Sequence, residues 1–240
     1  MGMCDETIAN LKQMVTAARE EFDLAVAFHE VWKPAAYDQD LHARLGNSYA
    51  TQAFQVTRSA LRREVILALV RLWDADKQAK GVRMDAIWKI LREKQVIDAL
   101  AQERASKMGL DDVLVHVRGD LGGKAAEVLK LIGKYRAEGP RHAVLLNLRT
   151  LRNERLAHRQ VTRSEATASG ASATDDEIEE FYQDNSKLVQ LLLSLVNAMA
   201  YDPQQTAGVF GFYAKAFWER VQPDQRRQNA LKALQSDGAE

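Results

Sequence analysis

The chain has 240 residues, of which 46% are hydrophobic and 28% are charged, and it contains only four prolines. That length allows a large buried core, and the abundance of Ala, Leu, Glu, Lys, Arg and Gln is typical of a helical protein. The formal net charge is zero at pH 7, so no global field attracts the protein to nucleic acid or to a membrane. Any polyanion site must therefore be local.

The sequence indicates a cytoplasmic protein. A lone cysteine, Cys4, excludes an internal disulfide and favours a reducing compartment. Residues 1–11 lack a basic segment followed by an apolar core, so no signal peptide is expected. The longest apolar stretch, residues 188–201, carries polar interruptions and is shorter than the roughly 20 apolar residues that span a bilayer, so no membrane association is expected.

The first half of the chain is predicted to form a series of helices. Apolar residues between Ile8 and Trp32 recur mostly every three or four positions, which predicts a long amphipathic helix that ends at Pro34. The same periodicity and the stop signals at Gly46 and Gly109 predict further helices over residues 37–45, 48–74, 84–92 and 96–108.

One segment in the middle of the chain is ambiguous. Val113, Leu114, Val115 and Val117 would suit a short strand, but residues 111–120 lie between helices and precede several glycines. An irregular or helical connection is the favoured interpretation. Residues 125–135 then predict a helix that ends at Glu138-Gly139-Pro140.

The second half contains three predicted helices. One begins near Arg141 and buries Val144, Leu145, Leu148, Leu151 and Leu156. After a predicted flexible loop at 162–174, the capping-box sequence at Thr174 opens a helix that runs to about Met199. A last aromatic-rich helix is predicted over 210–221. We expect residues 1–221 to form one all-α multi-helix bundle and residues 222–240 to form a polar, mobile tail.

The helix after Arg141 carries an unusual concentration of positive charge. Between residues 141 and 163 there are six arginines, no lysine, two histidines and one acid, Glu154. Elsewhere the charges are mixed. Arginine binds phosphate oxygens with forked geometry, and histidine titrates near neutral pH. This combination indicates a phosphate-handling site, and it is suited to metal-free RNA cleavage, in which a 2′-hydroxyl attacks the adjacent phosphorus.

Helical spacing suggests that one copy holds half of such a site. On an ideal helix, Arg152 and His158 differ by roughly 120° around the axis and about 9 Å along it. Their side chains lie on either side of one line along the helix surface, so the two do not easily reach the same substrate atom. A second copy packed across a two-fold axis would bring an Arg and a His from each chain into one cleft, so we expect a homodimer.

The string Arg152-Asn153, four residues, then His158 resembles the signature of the HEPN superfamily (higher eukaryotes and prokaryotes nucleotide-binding). The longer string from Leu148 to Arg159 is similar to the abortive-infection, AbiU-type branch, and so is an earlier segment, Ala68–Asp74. The resemblance covers roughly residues 61–196.

The resemblance implies a helical bundle that dimerises through the motif helix. It also implies a metal-independent ribonuclease of a toxin–antitoxin or phage-defence system, leaving 2′,3′-cyclic phosphate ends. Carried over to this sequence, Arg152 and His158 are catalytic and Asn153 is their polar assistant. From charge alone we expect Arg149, Arg155 and Arg159 to contact phosphate. No metal or cofactor is expected, RNA is the expected substrate, and an antitoxin or inhibitor is a further candidate partner.

Three other interpretations remain open. The motif could be a solvated helix face in which Glu154 pairs with His158. Alternatively, the fold could serve as a non-catalytic module that binds a nucleotide, RNA or a protein through the same arginines. The third is a structural dimerisation protein with no ligand. The glycine-rich segment 119–124 lacks the order of a P-loop, and the aromatic residues at 210–218 suit a core or dimer surface better than base stacking.

Overall fold

The computed structural model describes residues 3–46, 48–74, 83–109, 113–152 and 173–222. In these ranges the chain forms nine helices and no strand, so the predicted all-α fold is confirmed for them. The helices are α1 (Met3–Tyr37), α2 (Gln39–Leu45), α3 (Tyr49–Arg71), α4 (Met84–Leu91), α5 (Lys94–Met108), α6 (Val113–Tyr135), α7 (His142–Thr150), α8 (Asp175–Val196) and α9 (Pro203–Trp218). The predicted loop at 162–174 and tail at 222–240 lie almost wholly outside the described residues.

The chain divides into two compact units, Met1–Leu24 with Ile66–Pro203, and Ala25–Val65 with Gln204–Glu240. The single domain expected over residues 1–221 stays a prediction. In the first unit, α6 packs against α4, α5, α7 and α8. The core of this unit is made of fully buried apolar side chains, including Phe22, Leu69, Leu72, Met84, Ile87, Leu121, Ile132 and Phe181.

The second unit has a core of its own. Phe54 and Trp218 meet edge to face at 5.6 Å between ring centroids, among buried Ala35, Leu41, Leu45 and Ala214. Arg44 donates hydrogen bonds to the carbonyls of Trp218 at 2.7 Å and Val221 at 3.2 Å. These bonds satisfy the last carbonyl of α9, which has no partner within the helix, and a carbonyl just beyond it.

The predicted end of the first helix at Pro34 is wrong, because α1 continues to Tyr37 with Pro34 inside it. Proline removes one N–H donor from the helix. The turn around it is nevertheless held by burial, since Trp32 and Ala35 are fully buried. Asp38 then caps α2, accepting a hydrogen bond from the Leu41 amide at 3.0 Å.

The ambiguous segment at 111–120 is helical from Val113 onward and is continuous with the helix predicted over 125–135. Val117, Leu121, Ala125 and Val128 form a buried stripe at three- and four-residue spacing. Burial of that stripe outweighs the cost of the helical glycines, about 1 kcal/mol each relative to alanine. The strand alternative is wrong for this reason.

The last two helices differ from prediction only at their ends. The capping box at Thr174 is present, with the Thr174 hydroxyl accepting from the Glu177 amide at 3.1 Å. However, α8 ends at Val196, before Met199. The final helix begins at Pro203, seven residues earlier than predicted, because proline is well suited to the first position of a helix as well as to stopping one.

Candidate functional site

Helix α7 carries the first part of the arginine-rich stretch. Its buried face consists of Val144, Leu145 and Leu148, as predicted, and Leu151 follows on the same side. The chain passes from α7 into a π-helical turn at Leu151–Arg152. Such turns are rare and occur frequently at functional sites. Asn153, Arg155, Leu156, His158 and Arg159 lie outside the described residues.

A tight turn fixes the start of α7. Glu138 has a left-handed φ of 71°, and the Gly139 amide donates to the Arg136 carbonyl at 2.8 Å. A Cβ on Gly139 would lie 2.5 Å from the Lys134 carbonyl oxygen and would also overlap the Gly133 carbonyl. His142 Nδ1 lies 3.1 Å from the Tyr135 carbonyl oxygen.

An ion-pair network joins this turn to α8. Lys134 donates to Asp184 at 2.5 Å and to Glu180 at 2.9 Å, and Arg141 pairs with Glu180 at 2.7 Å. The Tyr135 hydroxyl donates to Asp184 at 2.6 Å. Burial and this hydrogen bond raise the pKa of Tyr135 well above its ordinary value, whereas the hydrogen bond from Lys134 lowers the pKa of Glu180. The network therefore holds α6, α7 and α8 in register at neutral pH.

Arg152, the first residue of the motif, forms an ion pair with Asp74 through Nη1 and Oδ1. The two side chains are 21% and 31% exposed, so the pair is partly shielded from solvent but still accessible to a ligand. Asp74 is the last residue of the segment Ala68–Asp74 that resembles the AbiU-type branch. The fold thus brings together the two segments of sequence that carry the resemblance.

Arg149 lies one turn earlier, and its Nη2 donates a hydrogen bond to the backbone carbonyl of Trp73. Burial lowers the pKa of Arg149, and the nearby charge of Asp74 partly opposes that change. A guanidinium remains protonated across the range of ordinary pH. Two arginines of the motif region are consequently positioned by consecutive residues, Trp73 and Asp74.

Trp73 is itself anchored in the core. Its Nε1 donates to the Asn185 side-chain carbonyl at 2.8 Å, and Asn185 donates in turn to the Phe181 carbonyl at 2.7 Å. Asn185 is fully buried. The Trp73 ring also contacts Tyr135 and Phe181, with ring centroids 5.4 and 6.0 Å away. The backbone that holds Arg149 and Arg152 is therefore a fixed part of the first unit.

A pocket of about 470 Å³ opens beside these residues. We call it the Arg83 pocket, and its polar lining includes Asp74, Arg83, Asp85, Lys89, Arg136 and Arg149. Asp85 accepts hydrogen bonds from Arg136 at 2.6 Å and pairs with Lys89 at 2.9 Å. Burial works in the opposite direction, but these two bonds lower the pKa of Asp85 overall. The pocket adjoins the motif because Asp74 and Arg149 belong to both.

Within the described ranges, no group of three or more His, Cys, Asp and Glu side chains is arranged to hold a metal ion. No metal ligand is assigned there. In the same ranges, no helix combines the length and the apolar character needed to cross a membrane.

The helical fold and the arginine-bearing motif region define a class, the HEPN type. The chain belongs to the HEPN_AbiU2 family, whose model, described as AbiU2, matches residues 8–217. Membership of this family indicates a nucleotide-binding or ribonuclease-type module. No curated protein and no solved structure matched the chain.

Sequence reasoning did not identify Asp74, Trp73, Arg83 or Asn185 as parts of this site. Asp74 was expected only at the end of the helix predicted over 48–74, and it is 78 residues away from Arg152 in the sequence. The signal that could have identified it is its position at the end of the resembling segment Ala68–Asp74. Arg83 and Asn185 carried no such signal, because each is a single polar residue in an ordinary helical pattern.

Proposed function

We propose that this chain is a metal-independent RNA endonuclease of a phage-defence or toxin–antitoxin system. Arg152 and His158 are the catalytic residues and Asn153 assists them. The observation that carries the proposal is the ion pair between Arg152 and Asp74, because it joins the motif to the second segment that resembles the AbiU-type branch. Family membership across residues 8–217 gives independent support.

The proposed reaction needs a base, an acid and fixed positive charge. One His158 imidazole accepts the proton of a ribose 2′-hydroxyl, whose oxygen bonds to the adjacent phosphorus. The bond from phosphorus to the 5′-oxygen breaks, and a protonated imidazole from the partner copy gives that oxygen a proton. Arg152 stabilises the charge that develops on the phosphorane. The products are a 2′,3′-cyclic phosphate and a free 5′-hydroxyl.

The remaining arginines are proposed as phosphate contacts. Arg149 uses Nη2 for the Trp73 carbonyl, which orients the guanidinium toward the Arg83 pocket that it lines. Arg155 and Arg159 are assigned to phosphate from charge alone. A homodimer through the motif helix would complete the site, and a bound antitoxin would restrain it.

The reaction can be tested on paired substrates. Purified protein should cut an RNA oligonucleotide to products with 2′,3′-cyclic phosphate ends, and it should leave uncut the same oligonucleotide with 2′-deoxyribose at the cleavage site. Mass spectrometry of the products distinguishes the ends. Cleavage of the deoxy-substituted oligonucleotide would rule out attack by the 2′-hydroxyl.

A second function, a non-catalytic binding module of the same fold, is favoured by one observation. Arg149 and Arg152 both have intramolecular partners, and arginines with a purely structural role have such partners too. This function predicts that RNA or a nucleotide binds without turnover. Substitution of Arg152 would then weaken binding, and His158→Ala would have little effect.

A further inference from the structure

We infer that the Arg83 pocket binds a backbone phosphate of the RNA strand, next to the nucleotide at which the strand is cut. This inference rests on the proposed function and extends it. It adds a positioning subsite, made of residues outside the motif, that recognises phosphate without reading the base.

The strongest observation is a buried donor without a partner. Arg83 Nε is buried in the wall of the pocket and has no hydrogen-bond partner among the described residues. Buried donors in proteins are almost always satisfied, and an exception calls for a ligand or another specific reason. The side chain also has no local structural role in its helix, because Arg83 is the N-cap of α4 but makes no side-chain capping bond.

The charge of the pocket favours an anion. Its lining has four cationic side chains and two carboxylates, in a chain whose net charge is zero. Both carboxylates already have cationic partners: Asp85 binds Lys89 and Arg136, and Asp74 binds Arg152. Arg83 and Arg149 are thus available to an incoming oxyanion, for which a guanidinium offers several donors.

The pocket is also held rigid in a way that suits recognition. The Arg136 guanidinium lies 3.5 Å from the centroid of the Trp88 ring, and Asp85 fixes its Nε at 2.6 Å. Pre-organised donors bind an anion with less loss of side-chain entropy. The volume of about 470 Å³ lies within the range of roughly 300–1,000 Å³ that is usual for ligand pockets.

The aromatic residues of the lining argue against recognition of a base. Trp73 and Tyr135 are only 5% and 1% exposed, so neither offers a free ring face for stacking. Stacking on aromatic side chains is the usual way in which single-stranded RNA is held through its bases. The ligand is therefore recognised through phosphate, and its position beside Arg149 and Asp74 places that phosphate next to the motif.

The test uses a matched pair of arginines at the two ends of α4. Arg83 precedes the helix and lines the pocket, whereas Arg92 follows the helix, is exposed and does not line it. Binding of an uncleavable 2′-O-methyl RNA oligonucleotide is measured by fluorescence anisotropy as a function of salt. Arg83→Gln should weaken binding about tenfold and should reduce the slope of log K against log salt by about 0.7, the value for one phosphate contact on a single strand. Arg92→Gln should leave the slope unchanged.

Two further measurements separate recognition from folding. Arg83→Gln should raise KM for RNA cleavage without lowering kcat, because the pocket binds a phosphate that does not react. Arg83→Lys keeps the charge and should restore most of the salt slope. Thermal melting of all variants within about 2 °C of the parent would show that the fold is intact, as expected for a side chain without a capping bond.

The outcomes are distinct. Equal salt slopes for Arg83→Gln and Arg92→Gln, with RNA still cleaved, would overturn the pocket assignment and leave the proposed function standing. A parent protein that binds no RNA would overturn both. In a third outcome, the parent binds adenosine monophosphate but not the RNA oligonucleotide, and Arg83→Gln loses that binding. This result would overturn the assignment to an RNA strand.

Discussion

The Arg152 guanidinium forms an ion pair with Asp74, and in the proposed reaction it also contacts the reacting phosphate. An ion pair that is 21% and 31% exposed contributes little to stability, about 1 kcal/mol or less. Its greater effect is on geometry, since a guanidinium with one carboxylate contact keeps its other N–H groups aimed in a fixed direction. Asp74 is therefore a positioning residue for Arg152.

Asp74→Asn removes the charge that holds Arg152 and should lower kcat for RNA cleavage by about 10- to 100-fold with little change in KM, as expected for a misplaced catalytic group. Steady-state kinetics on a defined RNA measures both constants. Asp98→Asn is the matched control, because Asp98 forms a surface ion pair with Arg118 at 2.8 Å and neither residue lines the Arg83 pocket. An Asp74→Asn enzyme as fast as the parent would show that Asp74 does not position Arg152.

Among the helices, those with local end signals were predicted most accurately. Thr174 is a capping residue, and Gly46 and Gly109 adopt positive φ after their helices; each of these signals acts within a few residues. Two predicted element boundaries are wrong, at Pro34 and at the glycines of α6, because packing outweighs the local sequence signal there. The contacts of Arg149 and Arg152 could not be read from helical spacing at all, because Trp73 and Asp74 come from a distant part of the chain.

The turn before α7 should be sensitive to a single methyl group. Gly139→Ala places a Cβ against the carbonyls of Gly133 and Lys134, and we expect it to lower the free energy of unfolding by about 1–3 kcal/mol. Gly122→Ala, an exposed position inside α6 where a Cβ meets nothing within 4 Å, should instead raise it by up to about 1 kcal/mol. Denaturant titration measures both, and the same sign for the two variants would contradict this account of the turn.

The network that links α7 to α8 predicts a dependence of stability on pH. Because the pKa of Glu180 is lowered in the folded protein from its ordinary 4.5, its stabilising effect is present above about pH 4.5 and is lost as pH falls through the folded-state pKa. Glu180→Gln should destabilise the protein at pH 7, by at most about 1 kcal/mol at this partly exposed site.

The difference between Glu180→Gln and the parent in denaturant midpoint should therefore shrink as pH falls below 4.5. Glu127→Gln, which removes an exposed carboxylate paired with Lys187 at 3.4 Å, serves as the control and should have a smaller effect at pH 7. A difference for Glu180→Gln that grew on acidification would contradict the assigned direction of the pKa shift.

At the scale of the whole molecule, a chain of zero net charge places several cationic side chains together in the described part of the first unit. The Arg83 pocket and the motif arginines Arg149 and Arg152 share that region, and both are fixed through Trp73 and Asp74. A local field of this kind can bind a polyanion without the non-specific attraction that a basic protein would have. The arrangement is consistent with a ribonuclease-type member of the AbiU2 family.

If the imidazoles of both copies act in one shared cleft, one inactive copy should impair the whole dimer. Co-expression of parent with His158→Ala chains, carrying different affinity tags, gives a mixed dimer with a single His158. Its cleft then lacks either the base or the acid, so its cleavage rate should fall well below half that of the parent. A purified mixed dimer that keeps half of the parent rate would argue that each chain holds a complete site of its own.

The central claim is that Arg152 and His158 cleave RNA without a metal ion. The most direct measurement is the single-turnover rate of RNA cleavage in excess chelator for the parent, Arg152→Ala and His158→Ala proteins. The account predicts an undiminished rate for the parent and loss of cleavage in each variant, because the arginine stabilises the phosphorane and the imidazole transfers the proton. Cleavage that requires Mg²⁺, or that survives His158→Ala, would contradict it.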